Sequence, residues 1–197
     1  IGMLTLFATE QKGELPRIDD IKGNFIFEAD TLHPQFLKDL NILGCPSDSG
    51  YEEGTTFRLR DNAVHPVSHA GNDHPDCVTC ESYIYLGWTV TNEDEGLAAI
   101  EAYREASLEQ FEQSLIVGEG KSIRRLNTEA SRFFLEKGAS SQDRQNPASE
   151  IPVMWEWPTN HGGAGNVLYL DGHVEFVPYP GKFPMTEKFI NELRRFQ

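Results

Sequence analysis

Apolar and polar positions alternate most regularly in NVLYLDGHVEFV, residues 166–177. Asp171-Gly172 divides this run into two short strands, and Asp-Gly between alternating strands signals a two-residue type I′ hairpin. That turn sets Leu170 opposite His173, Tyr169 opposite Val174 and Val167 opposite Phe176. The face made of Val167, Tyr169, Val174 and Phe176 is then predicted to be buried. The other face carries Leu168, Leu170, His173 and Glu175. A two-stranded hairpin is not stable alone, so the rest of the chain must supply partners. IPVMWEW, residues 151–157, reads as a strand that pairs with it. SYIYLGWTV, residues 82–90, is β-branched and aromatic throughout and reads as a central strand covered on both faces. A shorter candidate spans 24–28.

Other segments repeat at helical spacing. In residues 1–12, Met3, Leu4, Phe7 and Ala8 share one face, with Gly13 and Pro16 as stop signals. A short helix is expected around Pro34–Leu40. Asn92 and Glu95 form a capping box for a helix of about six turns, with Leu97, Ile100, Leu108, Phe111 and Leu115 inward and Gly118 and Gly120 ending it. Ser122–Lys137 predicts a second helix through Ile123, Leu126, Ala130, Phe133 and Phe134. Residues 138–150 read as an exposed loop. A last helix starts near Thr186 and uses Phe189, Ile190, Leu193 and Phe196. Helix, strands, helices, strands, helix is the order of an α+β fold with an antiparallel sheet, in a single domain over 1–197.

Composition narrows the function. The formal net charge of −14 opposes nucleic acid and anionic membrane surfaces as partners, since nucleic-acid binders carry basic stripes. No run of about 18 apolar residues is present. No G-x-S-x-G, P-loop or dinucleotide fingerprint appears. The three cysteines, Cys45, Cys77 and Cys80, allow one disulfide or part of a metal set. His65, His69, His74, Cys77 and Cys80 lie within sixteen residues, and C-x2-C is a common zinc half-site, but no second half-site follows. Asp48, Glu52 and Glu53, and separately Asp73 and Asp76, are oxygen donors suited to calcium, without an EF-hand loop. Trp155 and Trp157 alternate on one strand and share a face, as core or interface residues.

His161, nine residues, then Asp171-Gly172 resembles the H-X9-DG signature of bacterial pseudopilin-like proteins of planctomycete type. KGELP, LNILGCPSD, SYIYLGW, IPVMWEW and KFPMTEKFI resemble further segments of that family in the same order, over about residues 3–195. The resemblance implies a pilin-like body, with an N-terminal helix packed on an antiparallel sheet, belonging to a type II secretion or type IV pilus-like assembly. It implies a precursor with a basic leader and a long hydrophobic helix, of which residues 1–12 are expected to be the surviving end. Export is implied, with an inner-membrane anchor and a periplasmic or extracellular body in the full-length form. Residues 91–150 are then a helical insertion. The partners implied are other pilin-like subunits and the secretion or pilus machinery, and the role is structural, with no enzyme activity.

Within that resemblance, an oxidising compartment favours a disulfide from Cys45 to Cys77 or Cys80, with Cys45–Cys77 preferred. A direct His161–Asp171 pair is disfavoured. The extended strand between them spans about 17 Å and sets His161 at the far end of the hairpin. Asp171-Gly172 is then turn chemistry, and His161 is expected to bond backbone in its glycine-rich loop. An extracellular module binding glycan or protein is the alternative function, and a small zinc hydrolase on His65–Cys80 a third.

Overall fold

The computed structural model describes residues 2–57, 73–130 and 147–196, with the side chain of Pro147 set aside. The fold is α+β. Among the described residues, its α-helices include α1 (Gly2–Glu10), α2 (Glu93–Glu105) and α3 (Glu187–Arg194). Its strands are β1 (Tyr83–Ile84), β2 (Leu115–Val117), β3 (Lys121–Ile123), β4 (Pro152–Glu156), β5 (Ala164–Tyr169) and β6 (Val174–Pro178). An antiparallel sheet runs in the order β1-β4-β5-β6, and β2 pairs with β3 as a separate hairpin.

The main sheet has one deeply packed face. Ile84, Trp155 and Val167 lie in one row across β1, β4 and β5, all fully buried. Trp155 meets Phe189 of α3, with ring centroids 6.0 Å apart. α3 in turn packs on α2. The closing helix thus forms where its apolar spacing placed it, with Phe189, Ile190 and Leu193 buried. α2 begins as predicted: the Asn92 side chain accepts from the Glu95 amide at 3.0 Å. The Glu95 carboxylate reaches back to Thr91 N and Oγ1, both at 2.8 Å.

Four expectations give way. The hairpin turn holds three residues rather than two. Gly172 N donates to Tyr169 O at 2.9 Å and Tyr169 N to His173 O at 3.0 Å, and only Gly172 has positive φ. This is a turn closed by a left-handed glycine, and it slips the register by one. Leu168 now faces Val174, and Asn166 faces Phe176. A one-residue slip sends side chains to the opposite face, so Val174 and Phe176 are 59% and 58% exposed while Val177 fills the core. Second, residues 82–90 contribute only a two-residue edge strand, because Gly87 takes φ +77° and turns the chain away. Its apolar side chains are buried all the same.

Third, the long helix ends at Glu105. The Gln110 side chain accepts from Ser107 N at 2.7 Å and starts a separate 3-10 turn over Leu108–Glu112. The β2–β3 hairpin then replaces the helical continuation, reversing through Gly118–Gly120. Residues 122–129 are not helical; Ala130 is, and 131–146 lie outside the described residues. Fourth, neither a strand over 24–28 nor a helix over 34–40 forms.

Residues 14–57 instead hold themselves with borrowed bonds. Leu15 N donates to Leu126 O, and Phe25 O accepts from Tyr85 N. Ile18 and Phe27 form a lone bridge. Arg125 donates to the Leu15 carbonyl at 2.5 Å and the Phe111 carbonyl at 3.0 Å, which ties this segment to the 3-10 turn. Among the described residues, no helix is long and apolar enough to cross a membrane.

Candidate functional site

Strand residues alternate between faces, so the row beside the Trp155 row looks away from α3. Tyr83 on β1 pairs with Glu156 on β4. Glu156 lies beside Asn166 on β5, and Asn166 pairs with Phe176 on β6. Two loops close over this row. One is the turn after the 3-10 segment Leu40–Leu43, where Cys45 precedes Pro46. The other is the loop between β4 and β5, where Gly162 and Gly163 take φ of +65° and +103°. The second brings His161 back over the sheet.

The result is a cluster of three side chains. His161 Nε2 lies 3.1 Å from Glu156 Oε2 and 3.5 Å from Cys45 Sγ. Cys45 Sγ, a Glu156 carboxylate oxygen and a His161 ring nitrogen all fall within 4.8 Å of one another, and among the described residues no other set of three such donors does. Cys45 and Glu156 are buried, while the His161 side chain is 25% exposed. The His161 ring also stands edge-on to Phe176, with centroids 5.9 Å apart.

A buried carboxylate must be hydrogen-bonded and charge-compensated. Asn166 donates to Glu156 Oε2 from its backbone N at 2.8 Å and from Nδ2 at 2.9 Å. Among the described residues, His161 is the one ion-pair partner of Glu156. The Tyr83 hydroxyl lies against the same carboxylate; its pKa is pushed up to about 12, by burial first and then by the Glu156 charge. Burial likewise pushes the Cys45 thiol up; the amides of Ser47 and Asp48 oppose this, and the Glu156 charge adds to it.

The cluster does not have the wiring of a nucleophilic triad. In such a triad the base faces the nucleophile with one ring nitrogen and the acid with the other. Here Cys45 and Glu156 both address Nε2. One N–H cannot serve as a relay between two groups on the same side.

The expected Cys45–Cys77 bridge is absent: none of Cys45, Cys77 and Cys80 forms a disulfide. Cys45 is held against His161, whereas Cys77 sits in a half-buried 3-10 turn, Pro75–Cys77, and the Cys80 thiol turns to the Gly23 carbonyl at 3.6 Å. Of the histidine–cysteine set, His65 and His69 lie outside the described residues. The His74 ring accepts from Asp76 N at 3.3 Å, and His74, Cys77 and Cys80 do not join three donors at one point among the described residues. Asp48 accepts from Ser82 Oγ at 2.8 Å and from Gly50 N. Asp73 accepts from Asn41 Nδ2 at 2.7 Å.

His161 and Asp171 lie apart as their strand separation requires. Asp171 accepts from His173 N and closes on His173 Nδ1 at 2.6 Å, which makes it turn chemistry. His161, however, meets side chains rather than backbone. Sequence reasoning assigned Cys45 to a disulfide and passed over Glu156. The available signal was a single acid inside an apolar strand, since an acid on a strand buried on both faces must have partners there.

No family model, curated protein or solved structure matches the chain.

Proposed function

We propose that this chain is the body of a pseudopilin-like subunit of a type II secretion or type IV pilus-like assembly, with a structural rather than an enzymatic task. One observation carries the reading. The segments that resemble that family are far apart in sequence, yet four of them each place a side chain in the same cluster. LNILGCPSD supplies Cys45, SYIYLGW supplies Tyr83, IPVMWEW supplies Glu156, and the H-X9-DG segment supplies His161 and Asn166. A fifth segment, KFPMTEKFI, supplies Phe189 behind the sheet. A set of chance resemblances has no reason to converge on one point. In this reading the H-X9-DG spacing is the length of strand needed to hold His161 over Cys45 at one end of β5 while Asp171-Gly172 turns the chain at the other.

The test is N-terminal sequencing and intact mass of the native protein from source-cell membranes. The expected result is a mature chain with about 20 apolar residues, enough to span a bilayer, ahead of Ile1 and a methylated first residue. A native chain that starts near Ile1, or follows an ordinary secretory signal, overturns the assembly role. Val174 and Phe176, exposed on the edge strand β6, favour a second reading, a protein-binding module on the same fold. Under it, the native protein lacks the apolar segment and a partner protects these two side chains.

A further inference from the structure

We propose that Cys45, Glu156 and His161 are three ligands of a zinc site. This rests on the geometry of the cluster and stands whether or not the protein belongs to a secretion assembly. Zinc takes sulfur at about 2.3 Å and nitrogen or oxygen at about 2.0 Å in a tetrahedron. Those bonds set donor separations of about 3.6 Å for S···N and about 3.3 Å for N···O. The separations here are 3.5 Å and 3.1 Å, and the third edge closes within 4.8 Å.

The arrangement that rules out a relay suits a cation. With their protons displaced by the metal, the imidazole nitrogen, the thiolate and a carboxylate oxygen would lie within 4.8 Å of one another, and a cation among them would relieve the repulsion. The donor types select the metal. Thiolate and imidazole favour zinc, and calcium or magnesium would require oxygen donors alone.

The surrounding shell is built as metal sites are. Ligand carboxylates are held by outer hydrogen bonds, and Asn166 holds Glu156 Oε2 twice. Ligands from two loops and a strand then make the ion a pin. It fixes the 44–48 turn, which has no strand of its own, to the sheet.

The experiment loads metal-stripped protein with zinc and measures stoichiometry and affinity, then replaces zinc with cobalt to read the thiolate charge-transfer band. One equivalent of zinc and a thiolate band are expected. Cys45→Ser and His161→Ala abolish both, and Cys77→Ser leaves both unchanged. Asn166→Ala, which removes the Nδ2 bond to Glu156 and leaves the backbone one, weakens zinc by roughly 10-fold. A second reading needs no variant: zinc bound to the unaltered protein shields Cys45 from alkylation, mapped by peptide mass, while Cys77 and Cys80 react as before. Absence of stoichiometric zinc, zinc retained by a folded Cys45→Ser protein, or shielding of Cys77 or Cys80 in place of Cys45 overturns the proposal.

Discussion

At the scale of single residues, Asp171 shows how a turn uses charge. Its carboxylate accepts from His173 N and Nδ1. Burial pushes its pKa up, but the His173 hydrogen bonds outweigh this and hold it below the usual carboxylate value. A carboxylate with a depressed folded-state pKa stabilises the fold above its unfolded value of about 3.9, and that contribution is lost as pH falls through the folded value. Asp171→Asn is therefore expected to destabilise at about pH 5, and the difference from the unaltered protein should shrink toward about pH 2. Denaturant midpoints at the two pH values measure it; a difference that grows on acidification contradicts the assignment. Glu156 belongs at the same scale. Its neighbours in the sequence are all apolar, and the sheet that buries it also supplies Asn166 as its donor.

At the scale of elements, the hairpin is the most informative case. Its existence was legible from Asp-Gly between alternating runs, but its turn type was not. Leu170-Asp171-Gly172 needs positive φ only at Gly172, +94°, and the extra loop residue decides which side chains face the core. Gly172→Ala is expected to cost about 1–2 kcal/mol, the penalty of a left-handed Cβ. Equilibrium unfolding would show it, and an unchanged midpoint would mean the turn had changed type. The α2 region shows the opposite balance. Asn92 and Glu95 marked the start of the helix, but nothing local marked its end at Glu105. Leu108, Phe111 and Leu115 are apolar at helical spacing, yet Phe111 and Leu115 reach the core from a 3-10 turn and a strand, and Leu108 stays exposed. Trp88 Nε1 donates to Gln113 O, and the Arg125 guanidinium to Phe111 O. Such distant partners override local propensity, and a periodicity count does not see them.

At the scale of the molecule, the sheet separates two layers. One face holds the packed row of Ile84, Trp155 and Val167 under Phe189; the other holds the Cys45–Glu156–His161 cluster. Trp155→Ala empties the centre of the first layer and is expected to cost about 3–5 kcal/mol, readable as a loss of denaturant midpoint. A cost under about 1 kcal/mol would show that the layer does not depend on it. Class and the pairing of β4 with the hairpin were legible, because α1, β4, the hairpin and α3 each declare themselves in local pattern; the hairpin register, the edge place of β1 and the β2–β3 pair were not. The cluster was not. Cys45 and His161 are 116 positions apart, and each had a sufficient local explanation, a disulfide for one and a glycine-rich loop for the other. Only the slipped hairpin and the returning β4–β5 loop bring them together.

The borrowed bonds of residues 14–57 bear on how the chain reaches this state. Leu15 waits for Leu126 and Arg125, Phe25 for Tyr85, and Cys45 for His161. A ribosome releases the amino end first, so this stretch emerges before any of those partners has been synthesised. Contacts that span so many residues close slowly. Residues 14–57 therefore spend part of translation without these partners, with Phe25, Ile26, Phe27 and Leu32 exposed to whatever holds nascent chains apart. Tyr85 arrives first, Arg125 and Leu126 next, and Cys45 is met only when His161 follows.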